Sequence, residues 1–229
     1  MSAEWCYPSE KKLDRLAELV GSREIFYDVD AICEDTLKPV LAAVNSDFAV
    51  DIKRCEVQGF DSISRLLLEL RPDLGLSFEE LLKQEWKYWT NPDILSQAEP
   101  VLGIQFFMFM FDCAGFKQHM VTSRNPELRG CTMALADRYP YIRSITIRNE
   151  AERNVPGDIF KSTVVKNNFL VEDYLPNIRR VIEANKHAKA LWLSWPGDAG
   201  KYRNGRVTEV RGDDGIQNMW RAWEKIICL

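Results

Sequence analysis

The alternation of short apolar runs with stripes of helical period constrains this chain most. The short runs fall at 24–28, 117–121, 142–147, 168–171 and 190–193. Each is of strand length, and the segments between them carry apolar residues at three- and four-residue spacing. Strands alternating with helices build a parallel sheet with helices on both faces. The expected fold class is therefore α/β, a doubly wound parallel sheet. Helical stripes lie at 1–22, where Leu13, Leu16, Leu19 and Val20 precede a stop at Gly21, and at 37–44 and 61–70. Ser77 to Glu80 has the pattern of a capping box and opens a helix through Trp89. Further helices are expected at 106–113 (closed by Gly115), 126–137, 178–188 and 219–227. Four helices thus crowd between the first two strands, three of them within 37–96. The expected organisation is an N-terminal helical extension at 1–22, a core of 23–36 and 97–229, and a small helical cap at 37–96 inserted after strand 1.

Composition narrows the function classes. At 229 residues the chain can bury a full core without metals or disulfides. A net charge of −4 argues against a dedicated nucleic-acid binder, which needs a basic face. No apolar run approaches the ~20 residues of a membrane span, and the first residues carry no apolar stretch of the secretory kind. The six cysteines form no C-x-x-C pair and only two histidines are present, so a Cys/His zinc site is not expected. The expectation is a cytoplasmic protein with reduced thiols.

In doubly wound sheets the ligand sits beyond the carboxyl ends of the strands. Asp28-Val29-Asp30 follows the first strand, and Thr122-Ser123-Arg124 ends and follows the second. Lys161 and Lys166 precede the fourth, and Glu172-Asp173 follows it. Acid pairs, a hydroxyl and a lysine on one rim suit phosphoryl transfer. One carboxylate attacks phosphorus and a second exchanges the proton of the leaving oxygen. A hydroxyl and a lysine hold the phosphoryl oxygens, and Mg²⁺ offsets the crowded negative charge.

This constellation resembles the haloacid-dehalogenase (HAD) superfamily of phosphatases. Asp28 to Ile32 looks like its first motif, Thr122 its second, Lys161 its third and Glu172-Asp173 its fourth. Asp35, the run from Asn91-Pro92 to Gly103, Thr122-Ser123-Arg124 and Phe169 to Asp173 resemble the 5′(3′)-deoxyribonucleotidase-like branch, of 5′-nucleotidase C type. The likeness spans roughly 24–195. It implies Asp28 as nucleophile, Asp30 as acid/base, and Thr122 and Lys161 as phosphate ligands. It also implies a Mg²⁺ site of Asp28, Asp30 (through its carbonyl), Asp173 and Glu172, with Ser123 beside the phosphate. Relatives of the branch suggest a homodimer. Two positions depart from the pattern. Ala31 stands where the family has glycine, which suits alanine if φ stays negative. Lys161 lies one residue farther from the acid pair than expected, and Lys166 competes with it.

The resulting expectation is a Mg²⁺-dependent phosphomonoesterase for a nucleoside or deoxynucleoside 5′-monophosphate. The alternatives are another small phosphorylated metabolite, a nucleic-acid end, or a non-catalytic phosphate-binding relative. Trp86 and Trp89 stack on a nucleobase or belong to the core of the insert, with equal weight. Arg124 reaches a phosphate or caps the following helix. Cys33 reads as a packed thiol, His119 as core, Trp192 and Trp195 as core and rim of strand five, and Lys201 to Arg211 as a solvated basic loop.

Overall fold

The structure, a computed structural model, describes residues 10–211, 219 and 221–223. In chain order it contains α1 (Glu10–Val20), β1 (Glu24–Tyr27), α2 (Leu37–Phe48), α3 (Ser62–Leu70), α4 (Phe78–Trp89), α5 (Pro92–Leu95) and α6 (Ile104–Cys113). There follow β2 (Lys117–Thr122), α7 (Arg129–Met133), β3 (Ile142–Ile147), α8 (Gly157–Val165), β4 (Phe169–Glu172), α9 (Leu175–Ala184), β5 (Lys189–Ser194) and β6 (Val207–Arg211). The strands form one parallel sheet in the order β3-β2-β1-β4-β5-β6. The fold class is α/β, as expected. β1 lies at the point where the strand order reverses, so a crevice opens between the ends of β2 and β4.

Strand alternation fills both faces. Ile25, Tyr27, Phe169 and Val171 pack with Leu16, Val20, Phe107 and Phe111 on one face. Phe26, Leu170, Ala190 and Trp192 pack with Phe160, Val165, Ile178 and Val181 on the other. Burial on both faces explains the continuous apolar runs of the sequence. Each large aliphatic or phenylalanine side chain among them contributes about 1.5–3 kcal/mol relative to exposure.

Between β1 and α6 the chain is helical. Leu37, Val40, Leu41, Val44, Ile63, Leu67, Leu81 and Leu95 form a separate apolar cluster, joined from the sheet side by Ala31, Leu128 and Trp195. The capping box at α4 is present, with Glu80 N–H donating to Ser77 Oγ and Ser77 N–H to Glu80 Oε2. The two strands of chain entering and leaving this region are pinned by a buried acid. Glu34 pairs with Arg138, which also donates to the Ala98 carbonyl at 2.9 Å. The Tyr139 hydroxyl donates to Glu34 Oε1 at 2.6 Å and lies 2.7 Å from the Cys33 carbonyl.

The structure corrects several expectations. Val207–Arg211 is a sixth strand, pairing with β5 at the sheet edge, so the basic run is not all loop. Arg206 donates to the carbonyls of Ile182, Asn185, Lys186 and Ala188, around the end of α9. The expected helix at 126–137 is two 3₁₀ turns around the short α7. The helix at 178–188 instead spans Leu175–Ala184, because Asn185 turns extended. The expected N-terminal helix is described from Glu10, and most of the expected helix at 219–227 lies outside the described residues. His119 is half-buried, stacked on Phe26 and paired with Ser144 at 2.7 Å.

Tyr139→Phe should strand one oxygen of the buried Glu34. We expect a loss of about 1–3 kcal/mol, read from urea unfolding, with the slope of the transition unchanged.

Candidate active site

Every strand that ends in the crevice contributes a polar residue to it. The backbone N–H of Asp28 still bonds to the Val171 carbonyl at 2.9 Å, so Asp28 is held as the last rung between β1 and β4. Its Oδ1 accepts from Val29 N–H at 2.8 Å and its Oδ2 pairs with Lys161 Nζ at 2.7 Å. Lys161 projects from α8 with a side chain only 2 % exposed and also meets Glu172 Oε2 at 2.6 Å. Lys166 lies one turn on, exposed, past the end of α8. Helical geometry therefore sends Lys161, not Lys166, into the crevice. Glu172 is further fixed by Asn177 Nδ2 at 3.0 Å and by the backbone N–H groups of Asp173 and Tyr174 at 3.2 and 3.1 Å.

Asp28, Glu172 and Asp173 each bring a carboxylate oxygen within 4.8 Å of the others, all three buried. Three carboxylates face one ammonium, which leaves two negative charges without a counter-ion. That surplus is visible in their protonation. Burial, then Glu172, holds Asp28 well above the usual carboxylate range despite the opposing Lys161. Burial raises Glu172 against the pull of Lys161. Burial and the Asp28 charge push Asp173 up to about 6. Burial alone would lower Lys161, but Asp28 and Glu172 outweigh it and raise it. Hard oxygen donors with uncompensated negative charge fit a hard dication such as Mg²⁺.

The remaining expected residues lie around this cluster. Thr122 is buried at the end of β2, its Oγ1 accepting from Arg124 N–H at 3.3 Å. Ser123 lines the same cavity, its carbonyl held by Arg148. Asp30 does not join the acid cluster through its side chain. Its two oxygens accept from Arg124 Nη2 and Nε at 2.7 and 3.1 Å, while Arg124 Nη1 donates to Thr132 at 3.1 Å. Arg124 thus neither caps a helix nor stands free for a phosphate; it fixes Asp30. Ala31 has φ +62°, where negative φ was expected. Its N–H donates back to the Glu34 carbonyl at 2.9 Å, and that turn imposes the left-handed conformation at a cost of about 1–2 kcal/mol. Cys33 is fully buried, a packed thiol as expected.

Above these groups lies a cavity of about 470 Å³, whose floor includes Asp28, Thr122, Lys161 and Asp173. Its outer wall is aromatic. Trp86 is 47 % exposed and Phe60 49 %, with ring centres 6.0 Å apart. Tyr174 approaches Phe60 from the sheet side at 5.3 Å. Trp89 is half-buried, its Nε1–H donating at 3.1 Å to Glu85, which Ser64 holds in turn. Both tryptophans line the cavity, and Trp89 also packs against the insert's apolar cluster. Sequence reasoning missed Phe60, Tyr174, Asn177 and Trp195 as lining residues. Trp195 stands just past β5, where the strand-end rule reaches it; nothing local marks the others.

Solved structures of similar shape decide the fold. The chain named HAD-hydrolase YfnB of Bacillus subtilis, bound to magnesium, superposes with a TM-score of 0.54 over 89 % of this chain and 98 % of its own, at 13 % identity. The fold is that of the HAD hydrolases. A HAD family hydrolase of Deinococcus radiodurans, with bound phosphate and sodium, gives a TM-score of 0.51 at 12 % identity, covering 82 % of this chain and 91 % of its own. A predicted phosphoglycolate phosphatase of Haemophilus somnus gives 0.54 at 11 % identity, covering 84 % and 95 %. No family model matches the sequence, and no curated protein matches it. Among the described residues, no helix is long and apolar enough to cross a membrane.

The raised acid pKa values of the HAD-like crevice have a pH consequence. Asp173 titrates near 6 when folded and near 3.8 when unfolded, so the folded state binds the extra proton between those values. Its contribution to stability is complete below about 4 and lost as pH rises through about 6. Asp28 and Glu172 act in the same direction. In EDTA, we expect these acids to make the melting temperature several degrees higher at pH 5.5 than at pH 7.5, with Mg²⁺ narrowing the difference. Differential scanning calorimetry reads both effects.

Proposed function

We propose that this protein is a Mg²⁺-dependent phosphomonoesterase that hydrolyses a nucleoside or deoxynucleoside 5′-monophosphate through an aspartyl-phosphate. The observation that carries it is Asp28, paired with a buried lysine and flanked by two further acids, on the floor of an aromatic-walled cavity. The HAD fold and the phosphate and magnesium of similar structures support the chemistry.

In this reading an oxygen of Asp28 forms a bond to phosphorus as the bond to the leaving alcohol oxygen breaks. With one of its two Arg124 hydrogen bonds released, a protonated Asp30 gives that oxygen its proton, the other bond keeping its carboxyl in place. A water then attacks phosphorus, Asp30 takes its proton, and phosphate leaves with Asp28 regenerated. Thr122, Ser123 and Lys161 hold the phosphoryl oxygens where charge concentrates. A divalent cation held by Asp28, Asp173 and the Asp30 carbonyl, with Glu172 beside them, would neutralise phosphate charge and keep the acids ionised. The helices of 37–96 act as a cap that excludes water, and Phe60, Trp86 and Trp89 present ring faces to a nucleobase. The four described free cysteines suit a cytoplasmic setting.

A second reading keeps the chemistry and takes a smaller phosphorylated metabolite. The similarity to a predicted phosphoglycolate phosphatase favours it. A panel of ribo- and deoxynucleoside monophosphates, phosphoglycolate and p-nitrophenyl phosphate, with Mg²⁺ or EDTA, separates the two.

Asp28→Asn should reduce turnover of every substrate to background while the far-ultraviolet spectrum is retained. Full activity in that variant would remove the proposal. Trp86→Ala and Phe60→Ala should each weaken kcat/KM for nucleotides about tenfold, since a lost base–aromatic stack costs about 1–3 kcal/mol. The same variants should leave p-nitrophenyl phosphate within about twofold; equal losses on both substrates would favour the second reading.

A further inference from the structure

Counter-charge is unevenly spread in the acid cluster. Lys161 bonds both Asp28 and Glu172, whereas Asp173 has no salt-bridge partner among the described residues. Two indoles hold Asp173 instead. Trp195 Nε1–H donates to its Oδ2 at 2.7 Å, and Trp192 Nε1–H donates to its backbone carbonyl at 3.0 Å. Both tryptophans are buried. A neutral donor fixes the direction of a carboxylate without cancelling its charge, which is what a cation ligand needs from the residues behind it.

Trp195 also belongs to the insert's apolar cluster. Its carbonyl accepts from Asp198 and Ala199 N–H at 2.9 and 3.0 Å, closing a turn. That turn carries Gly197, whose N–H donates to the Gln58 carbonyl of the insert at 2.9 Å. A Cβ at Gly197 would fall 2.7 Å from the same Gln58 oxygen. The insert therefore seats on Gly197, and Gly197 is two residues from the indole that holds Asp173.

We infer that Trp195 is a positioning residue that orients Asp173 toward the divalent cation, and that the insert's seat on Gly197 keeps Trp195 in place. The inference rests on the metal reading above. By linkage, cation binding favours the seated insert to the same degree that the seat favours the cation.

The test is isothermal titration of the EDTA-stripped full chain with MgCl₂. Trp195→Phe keeps one aromatic ring in the apolar cluster and removes the N–H together with the rest of the indole's five-membered ring. Its Mg²⁺ affinity should fall tenfold or more, as when hydrogen-bond partners behind a metal ligand are lost. Gly197→Ala leaves every polar group of the crevice intact, yet should also weaken Mg²⁺ binding. Wild-type affinity in folded Trp195→Phe would overturn the inference and leave the metal site standing. Wild-type affinity in folded Gly197→Ala would overturn the insert's share. Absence of Mg²⁺ binding by the wild type would overturn the metal reading and the inference together. Where a variant does not fold, the wild-type Trp195 indole N–H resonance serves: it should shift on Mg²⁺ titration, and a resonance that does not move would overturn the role of Trp195.

Discussion

A single buried ammonium organises the crevice. Lys161 lies between Asp28 and Glu172 at 2.7 and 2.6 Å, in a place where an unpaired charge would be costly. Its position requires α8 to pack against β2 and α9, and it ties the end of β1 to the end of β4 through side chains as well as backbone. Yet one lysine does not balance three acids. The remaining negative charge is a standing cost to the fold in the absence of a cation, and the same charge makes the crevice receptive to one. Stability and receptivity are set against each other at the same atoms.

The other groups are arranged so that this conflict stays local. Asp30 is taken out of the acid cluster by Arg124, whose third contact, to Thr132, anchors it beyond β2. Glu172 spends its oxygens on Lys161, Asn177 and the following backbone, which makes it a fixed part of the wall. Asp173 alone is held by neutral donors. Asp28 and Glu172 thus share the ammonium, Asp30 has a guanidinium and Asp173 an indole N–H, so the acids of one rim meet different electrostatic environments.

The sheet was legible because both faces of its central strands are covered, so apolar runs stand out; β6 was not, because Val-Thr-Glu-Val-Arg pairs on one side only and sits among basic loop residues. The acid pairs, Thr122 and Lys161 could be read from where strands end. The conformation of Ala31 could not, since it follows from a turn closed by Glu34 rather than from alanine's own preference. Nor could the partner of Arg124, whose guanidinium could reach in several directions. Phe60 and Tyr174 meet across the insert and the sheet, residues far apart in sequence, so only the packed chain shows them as one wall.

The most direct test of the central claim is covalent. Rapid acid quench during turnover, followed by peptide mass spectrometry, should find one added phosphoryl group on the peptide containing Asp28. Turnover with no phosphorylated peptide, or with the group on a peptide lacking Asp28, would contradict the assignment of Asp28 as the nucleophile.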